Sequence, residues 1–429
     1  MPTKADIITS DILRFQQETA ARLFDEIAAL SADVEGVSRP AYSAIETETL
    51  DYLEDFAREN GISVSQNAAQ CDVFSLPEDA AADQFVALGS HVDSVPRGGN
   101  FDGLAGVIAG LLCLLRACKE EARFRRPVKV LAMRAEESAW FGPCYISSKA
   151  MLGALSKAER FAVHNGDGRT LEAHMQAIGI DVDKVRRQEP LVDPKSFLEY
   201  IELHIEQGPL LVEKNLAVAI VSGIRGNIRH KKIRCIGEPG HSGAVPRAYR
   251  RDPVLAICDL LHRLDESWLT ILQKGGDLVM TAGIVATDPE MHSLSRIPDL
   301  VDFSFDIRSQ STETLDGMRE LLHHEMKMIE RERKVRFELD EELSTAPALC
   351  DRKVVDGLLA SMERSGREPF VMASGGGHDA AVFSNAGVPT AMVFVRNRNG
   401  SHNPKEAMEI PDLLAGSSII YDYLMGTGS

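Results

Sequence analysis

Apolar residues change their spacing several times along this chain, and the changes mark its elements. From Ile12 to Leu30 they recur every three or four positions with a polar face between, which predicts an opening helix. TETLDYLEDFAREN, from Thr47, predicts a second helix, closed by Gly61. The period then shortens. DQFVALGS reads as a strand, while GLAGVIAGLLCLLRACKE is apolar over enough length to form a helix that can be buried. PVKVLAMRAEE and FLEYIELHIEQG read as two more strands. Strands alternating with helices predict an α/β sheet covered on both faces.

After about Val212 the rhythm differs. AVAIVSGIRGNIRHKKIRCIGE reads as paired strands, PVLAICDLLHRLDESWLTILQ as a helix, and LVMTAGIVAT and LVDFSFDIRS as strands. TLDGMRELLHHEMKMIERER follows as a helix and VRFELDEEL as a strand. Such a run suits helices laid on one antiparallel sheet. VVDGLLASMERSG, FVMASGGG, PTAMVFVRN and a last helix then resume the first pattern. The reading is one α/β domain, residues 1–212 and 341–429, interrupted by an inserted α+β domain, 213–340.

Composition narrows the class. A chain of 429 residues holds two or three domains at roughly 150 residues each. A formal charge of −17 argues against a general phosphate-backbone binder, so no nucleic acid is expected. MPTKADIITSDILRFQQ lacks the charged and apolar regions of a signal peptide, and no apolar run approaches the ~18 residues of a membrane span. Seven cysteines, odd in number and without a CxxC pair, suit buried thiols in a reducing cytoplasm.

The chemistry gathers where strands should end. His91 follows VALGS, Glu136 and Glu137 follow KVLAMRA, His204 stands late in FLEYIELHIEQG, and His402 follows AMVFVRNRNGS. Asp102 lies on a glycine-rich turn before the long apolar helix. Ligand sites in open α/β sheets form at the carboxyl ends of strands. A single HxD is most often a hydrogen-bonded loop histidine, and a Glu-Glu pair is usually surface charge. Two carboxylates at the end of a buried strand, however, need a partner or a metal. Four strand ends breaking in the same way outweigh each separate explanation. Five such ligands, one of them bridging, fit two metal ions about 3.5–4 Å apart.

The segments GSHVDS, GGNFDG, AEES, ELHIEQGP, GHSGAVPRAYRRDP, SGGGHDA and GSHNP, in this order, resemble the zinc-dependent amidohydrolases that cleave N-carbamoyl-L-amino acids. Allantoate amidohydrolases and microbial β-ureidopropionases belong to the same group, within the aminoacylase and metallo-carboxypeptidase clan. The resemblance spans nearly the whole chain. It implies a di-metal exopeptidase-like α/β domain with a mixed sheet, and an inserted α+β domain serving as lid and dimerisation surface. It implies two divalent ions per subunit, Zn²⁺ first, with Mn²⁺, Co²⁺ and Ni²⁺ also suited. His91 and His204 would hold one ion, Glu137 and His402 the other, and Asp102 would bridge them. Asp93 would orient His91, and Glu136 would be the general base.

The same resemblance makes His241 an oxyanion stabiliser that acts across a homodimer, where an isolated loop histidine is otherwise a surface residue. Arg308, otherwise a surface ion pair, would clamp the substrate carboxylate. Gln207 would bind substrate, Gly376 and Gly377 would let backbone amides approach it, and His378 and Asp379 would support the site. The implied reaction hydrolyses the carbamoyl C–N bond of an N-carbamoyl-L-amino acid to amino acid, CO₂ and ammonia. Allantoate, ureidoglycolate and β-ureido acids are the alternatives. An aminopeptidase or aminoacylase shares the metal logic, but Gln207 argues against it. A non-catalytic binding protein would need a lost base or ligand, and all are present. One departure concerns MHSLSRIPD: Ser295 stands where the family often has Asn, with His292 nearby, which weakens the case for a common carbamoyl amino acid.

Overall fold

Four of the strands read from the sequence lie side by side and parallel in the computed structural model, which describes residues 4–426. Their order is Val128–Met133, Phe85–His91, Phe197–Ile205 and Thr390–Val395. Parallel strands run their carboxyl ends to one edge, so the segments holding Glu136, His91, His204 and His402 all leave from that edge. Antiparallel strands flank them: Asp72–Ser75 and then Ser63–Gln66 on one side, Val218–Ile224 on the other. The sheet is therefore mixed. The Ser63–Gln66 and Asp72–Ser75 pair was not read from the sequence, because neither four-residue strand shows an alternation long enough to stand out.

The helix Leu104–Glu120 is buried along nearly all its length, as its continuous apolar run requires. Helices Lys4–Leu30, Ala44–Glu59 and Ile410–Met425 contribute to the same core. Ser43 caps the second of these by accepting the Glu46 amide. Glu46 is itself buried. It accepts from Arg134 Nε at 2.7 Å and from the Ala135 amide at 3.0 Å, fixing the chain just before Glu136.

The chain divides into two compact units, residues 1–223 with 349–429, and residues 224–348. These boundaries fall after those expected at 212 and 340. The reason is that AVAIVSGIRGNIRHKKIRCIGE is not a pair of strands bonded to each other. Val218–Ile224 pairs with Thr390–Val395 in the larger unit, whereas Gly226–Ile236 pairs with Leu300–Ser309 in the smaller.

The smaller unit is an antiparallel sheet with two helices, Pro253–Gln273 and Thr312–Arg333. Leu300–Ser309 alternates without exception, burying Val301, Phe303, Phe305 and Ile307. Leu315, Met318, Leu322, Met326 and Ile329 form the matching stripe of the second helix. Among the described residues, no helix is long and apolar enough to cross a membrane.

Candidate metal centre

His91 is the last residue of its strand and is buried. Its Nδ1 lies 3.0 Å from the Asp93 backbone carbonyl, an atom that can only accept, so Nδ1 carries the hydrogen. His204 repeats the device, with Nδ1 2.9 Å from the Ile205 carbonyl. Both rings therefore present Nε2 to the carboxylate of Asp102, at 3.6 Å for His91 and 3.0 Å for His204, both to Oδ1. A bare nitrogen lone pair facing a carboxylate oxygen requires a cation between them, either a proton or a metal ion. Burial opposes a charged imidazole at both positions. The surrounding carboxylates outweigh it, chiefly Glu136 at His91 and Asp102 at His204, and raise both pKa values.

The other oxygen of Asp102 faces a second set of ligands. His402 Nε2 is 3.5 Å from Asp102 Oδ2 and 3.4 Å from Glu137 Oε1. One carboxylate thus addresses two ligand groups, His91 with His204, and Glu137 with His402. The first group is buried, while His402 is half-exposed, so solvent reaches the second group. Glu136 Oε2 lies 3.9 Å from His91 Nε2. Burial and the charge of Glu137 hold Glu136 well above the usual carboxylate range; burial and Asp102 do the same to Glu137. Two buried imidazoles and several buried carboxylates form a donor set suited to divalent transition-metal ions, whose charge stabilises the ionised acids.

The glycines around Asp102 have a spatial reason. Gly103 has φ +69°, and a Cβ there would enter the His91 ring. Only glycine lets the start of the Leu104–Glu120 helix pass so close to the imidazole.

Asp93 meets His91 with both its carbonyl and its carboxylate. Its carboxylate is 3.4 Å from His91 Nδ1, farther than its own backbone carbonyl. Its oxygens also accept the amides of Glu136 at 2.9 Å and Glu137 at 3.0 Å. Asp93 thereby ties the end of one strand to that of its neighbour.

At Gly376 and Gly377 the room beside the backbone is already taken. A Cβ on Gly376 would crowd Gln207 Oε1, and one on Gly377 would strike the Tyr145 hydroxyl. The space left by the two glycines is filled by these side chains. Gln207, at φ +62°, donates from Nε2 to Asp102 Oδ2 at 2.8 Å. His378 lies in contact with the His204 ring, 4.4 Å between centroids, and bonds Ser374 at 2.9 Å. Asp379 bonds Ser148.

Three residues went unread in the sequence. Glu406 accepts the amides of Phe101 at 2.9 Å and Asp102 at 3.1 Å, and burial beside Asp102 lifts its pKa to about 7. Arg39, fully buried, donates to the Val92 carbonyl at 2.6 Å and to Asn100 at 2.8 Å. Tyr145 bonds through its amide to the Glu136 carbonyl at 2.8 Å. None lies in a motif, and only a signal linking distant segments would find Glu406 or Arg39.

His241 and Arg308 belong to the smaller unit. His241 is exposed on a two-residue strand paired with Arg296–Ile297. Its Nδ1 accepts the Gly243 amide at 3.2 Å, which leaves Nε2 as the donor of the neutral ring. The Ser242 amide bonds the Ser295 carbonyl at 2.8 Å, so Ser295 supports this strand through its backbone. Arg308 pairs with Asp306 of its own strand, 2.9 Å from Nη2 to Oδ2.

Residues 87–426 match the model of peptidase family M20/M25/M40. The chain is 32% identical over 388 residues to the N-carbamoyl-L-amino acid amidohydrolase of Geobacillus stearothermophilus, covering 90% of this chain and 92% of that one. It is 31% identical over 334 residues to the allantoate amidohydrolase of Escherichia coli (strain K12), covering 78% and 79%. The crystal structure of a hydantoinase/carbamoylase family amidase from Burkholderia multivorans superposes with a TM-score of 0.85 at 25% identity, over 96% and 97% of the two chains.

Proposed function

This chain belongs to peptidase family M20/M25/M40, and from that premise we propose that it hydrolyses the C–N bond of a ureido acid, a non-peptide linear amide. The observation that carries the proposal is the division of Asp102, with Oδ1 toward His91 and His204 and Oδ2 toward His402 beside Glu137. These five residues would hold two divalent ions, Zn²⁺ first. Such ions polarise a carbonyl and lower the pKa of a water. Glu136 takes the proton of the attacking water and passes it to the departing nitrogen. For an N-carbamoyl-L-amino acid the products are the amino acid, CO₂ and ammonia.

Binding is assigned to Gln207 and to Arg308, whose guanidinium would exchange Asp306 for the substrate carboxylate. The smaller unit would act as lid and dimerisation surface, with His241 Nε2–H directed at the developing oxyanion of the partner's site. Seven free cysteines suit a reducing cytoplasm. An allantoate-type substrate is the second reading, favoured by the 31% identity to the allantoate amidohydrolase of Escherichia coli (strain K12).

The test is ammonia release by metal-loaded protein offered N-carbamoyl-L-amino acids, allantoate and ureidoglycolate, with release of the free amino acid measured for N-acyl amino acids. Turnover of ureido acids is expected. Hydrolysis confined to N-acyl amino acids would replace this reading with an aminoacylase.

A further inference from the structure

A second cluster of metal-ligating side chains lies outside the centre described above, in the segment HNGDGRTLEAHM. Val163 bridges Thr170. The His164 amide bonds the Arg169 carbonyl at 2.8 Å, and the Gly168 amide bonds the His164 carbonyl at 3.1 Å. These bonds fold residues 163–170 into a tight turn with Asp167 at its tip. The helix Leu171–Ala177 follows at once, capped by Thr170, and carries His174 back toward the turn. His174 Nε2 lies 3.1 Å from Asp167 Oδ2, and His164 Nδ1 lies 3.5 Å from Asp167 Oδ1.

We propose that His164, Asp167 and His174 form a third metal site, which takes one divalent transition-metal ion of the imidazole-seeking kind: Zn²⁺, Ni²⁺, Co²⁺ or Cu²⁺. The three ligand atoms lie within 4.8 Å of one another. Tetrahedral coordination with bonds of about 2.0–2.2 Å separates ligands by roughly 3.3–3.5 Å, so only small adjustments are needed. Two nitrogens and one carboxylate select these ions over Mg²⁺ and Ca²⁺, which prefer oxygen alone.

The tautomer supports the assignment. His164 Nδ1 accepts the amides of Gly166 at 3.1 Å and Asp167 at 3.3 Å, so that nitrogen carries no hydrogen. A divalent ion would take this lone pair in place of the two amide contacts, with Asp167 Oδ1 3.5 Å away as its next ligand.

The rings are held in place before any ion arrives. Phe141 meets His164 edge-on at 4.9 Å and His174 at 5.2 Å, and Trp140 stacks on His164 at 6.0 Å with the planes 9° apart. The imidazoles are 12% and 10% exposed and Asp167 43%, so the nitrogens are fixed and the carboxylate side stays open to an ion and its waters. Position matters too. The Asn165 amide bonds the Trp140 carbonyl at 2.8 Å and its side chain the Ala139 carbonyl at 2.6 Å. Ser138–Phe141 is the helical turn that begins directly after Glu137. An ion at the turn therefore clasps the segment that leads away from Glu136 and Glu137.

Equilibrium dialysis of chelator-stripped full-length protein against Zn²⁺, with metal counted per chain, tests the site. His174→Gln and Asp167→Asn should each bind one ion fewer than wild type. Asp167 is exposed enough that its substitution leaves the fold intact. Equal counts in wild type and Asp167→Asn overturn the proposal. A second measurement separates this site from the strand-end centre. The chain has two tryptophans, Trp140 and Trp268, so Trp268→Phe leaves Trp140 as the only indole. In that background Cu²⁺ should quench the fluorescence, and the quenching should survive Asp102→Asn but disappear in Asp167→Asn. Quenching that disappears in Asp102→Asn and survives in Asp167→Asn places the ion at the strand ends alone and overturns the third site, while leaving the strand-end reading intact.

Discussion

The strand-end centre and the candidate residues of the smaller unit are held in opposite ways. His91, His204 and Asp102 are buried, and each imidazole is bonded at its far nitrogen by a backbone carbonyl that fixes its tautomer. Asp93 and Glu406 accept backbone amides on either side of the centre, so even the chain carrying the ligands is pinned. His241 is exposed and rests on a two-residue pairing, and Arg308 is half-exposed and bonded to a neighbour on its own strand. Over-determined side chains suit chemistry whose geometry must exist before substrate arrives. Lightly held ones suit groups that exchange one partner for another. Substitutions in the first region should therefore act on turnover and metal retention, and those in the second on binding and assembly.

The largest effect is expected at Glu136. Glu136→Gln keeps shape and burial but cannot accept a proton, so kcat should fall about 10²–10⁴-fold with metal content unchanged. Activity and metal analysis of one preparation check it. Loss of metal would move Glu136 among the ligands. Next comes Asp93→Asn. The amide retains one oxygen for the amide of Glu136 or Glu137 and turns a donor toward the other, so metal affinity should weaken about 10–100-fold. Competition with a chelator measures it. An unchanged affinity would mean that the tie between the two strand ends does not set the geometry.

Sequence and structure agree best where a single strand end carries its chemistry. His91, Glu136, Glu137, His204 and His402 were legible because each follows an apolar run, and four such runs lie parallel with their ends at one edge. The supports were not. Glu406 reaches the amides of Phe101 and Asp102 across some three hundred positions, and Arg39 reaches Val92 and Asn100, so no local period reports them. The two glycines before His378 were legible as unusual, but not in purpose, because what fills their space comes from Gln207 and Tyr145. The break at Arg225 was also hidden. Val218–Ile224 is almost wholly apolar and Gly226–Ile236 interleaves apolar with charged residues, but only their partners reveal that they belong to different sheets.

At Arg308 the contrast predicts a binding effect. Arg308→Lys keeps the charge and loses the planar fork, so KM for carboxylate substrates should rise roughly tenfold with kcat little changed. Amides or esters of the same compounds should respond far less. Equal changes in both series would leave Arg308 as a partner of Asp306 alone.

The last prediction concerns assembly. If His241 serves the partner's site, Glu136→Gln and His241→Ala chains are each inactive as homodimers yet complement one another when mixed. In a mixed dimer the His241→Ala chain still has its base, and the Glu136→Gln chain supplies the histidine to that site. The opposite site lacks both groups. With equal amounts and random exchange, about half the dimers are mixed, each with one working site of two, so activity returns to roughly a quarter of wild type if the sites act independently. The weak hold on His241 makes this reasonable, because a residue fixed by one short strand and one amide can meet a second subunit without disturbing its own fold. Differently tagged chains establish that exchange has occurred. If exchange is complete and no activity returns, His241 does not act across subunits, and the contrast between the two regions narrows to exposure alone.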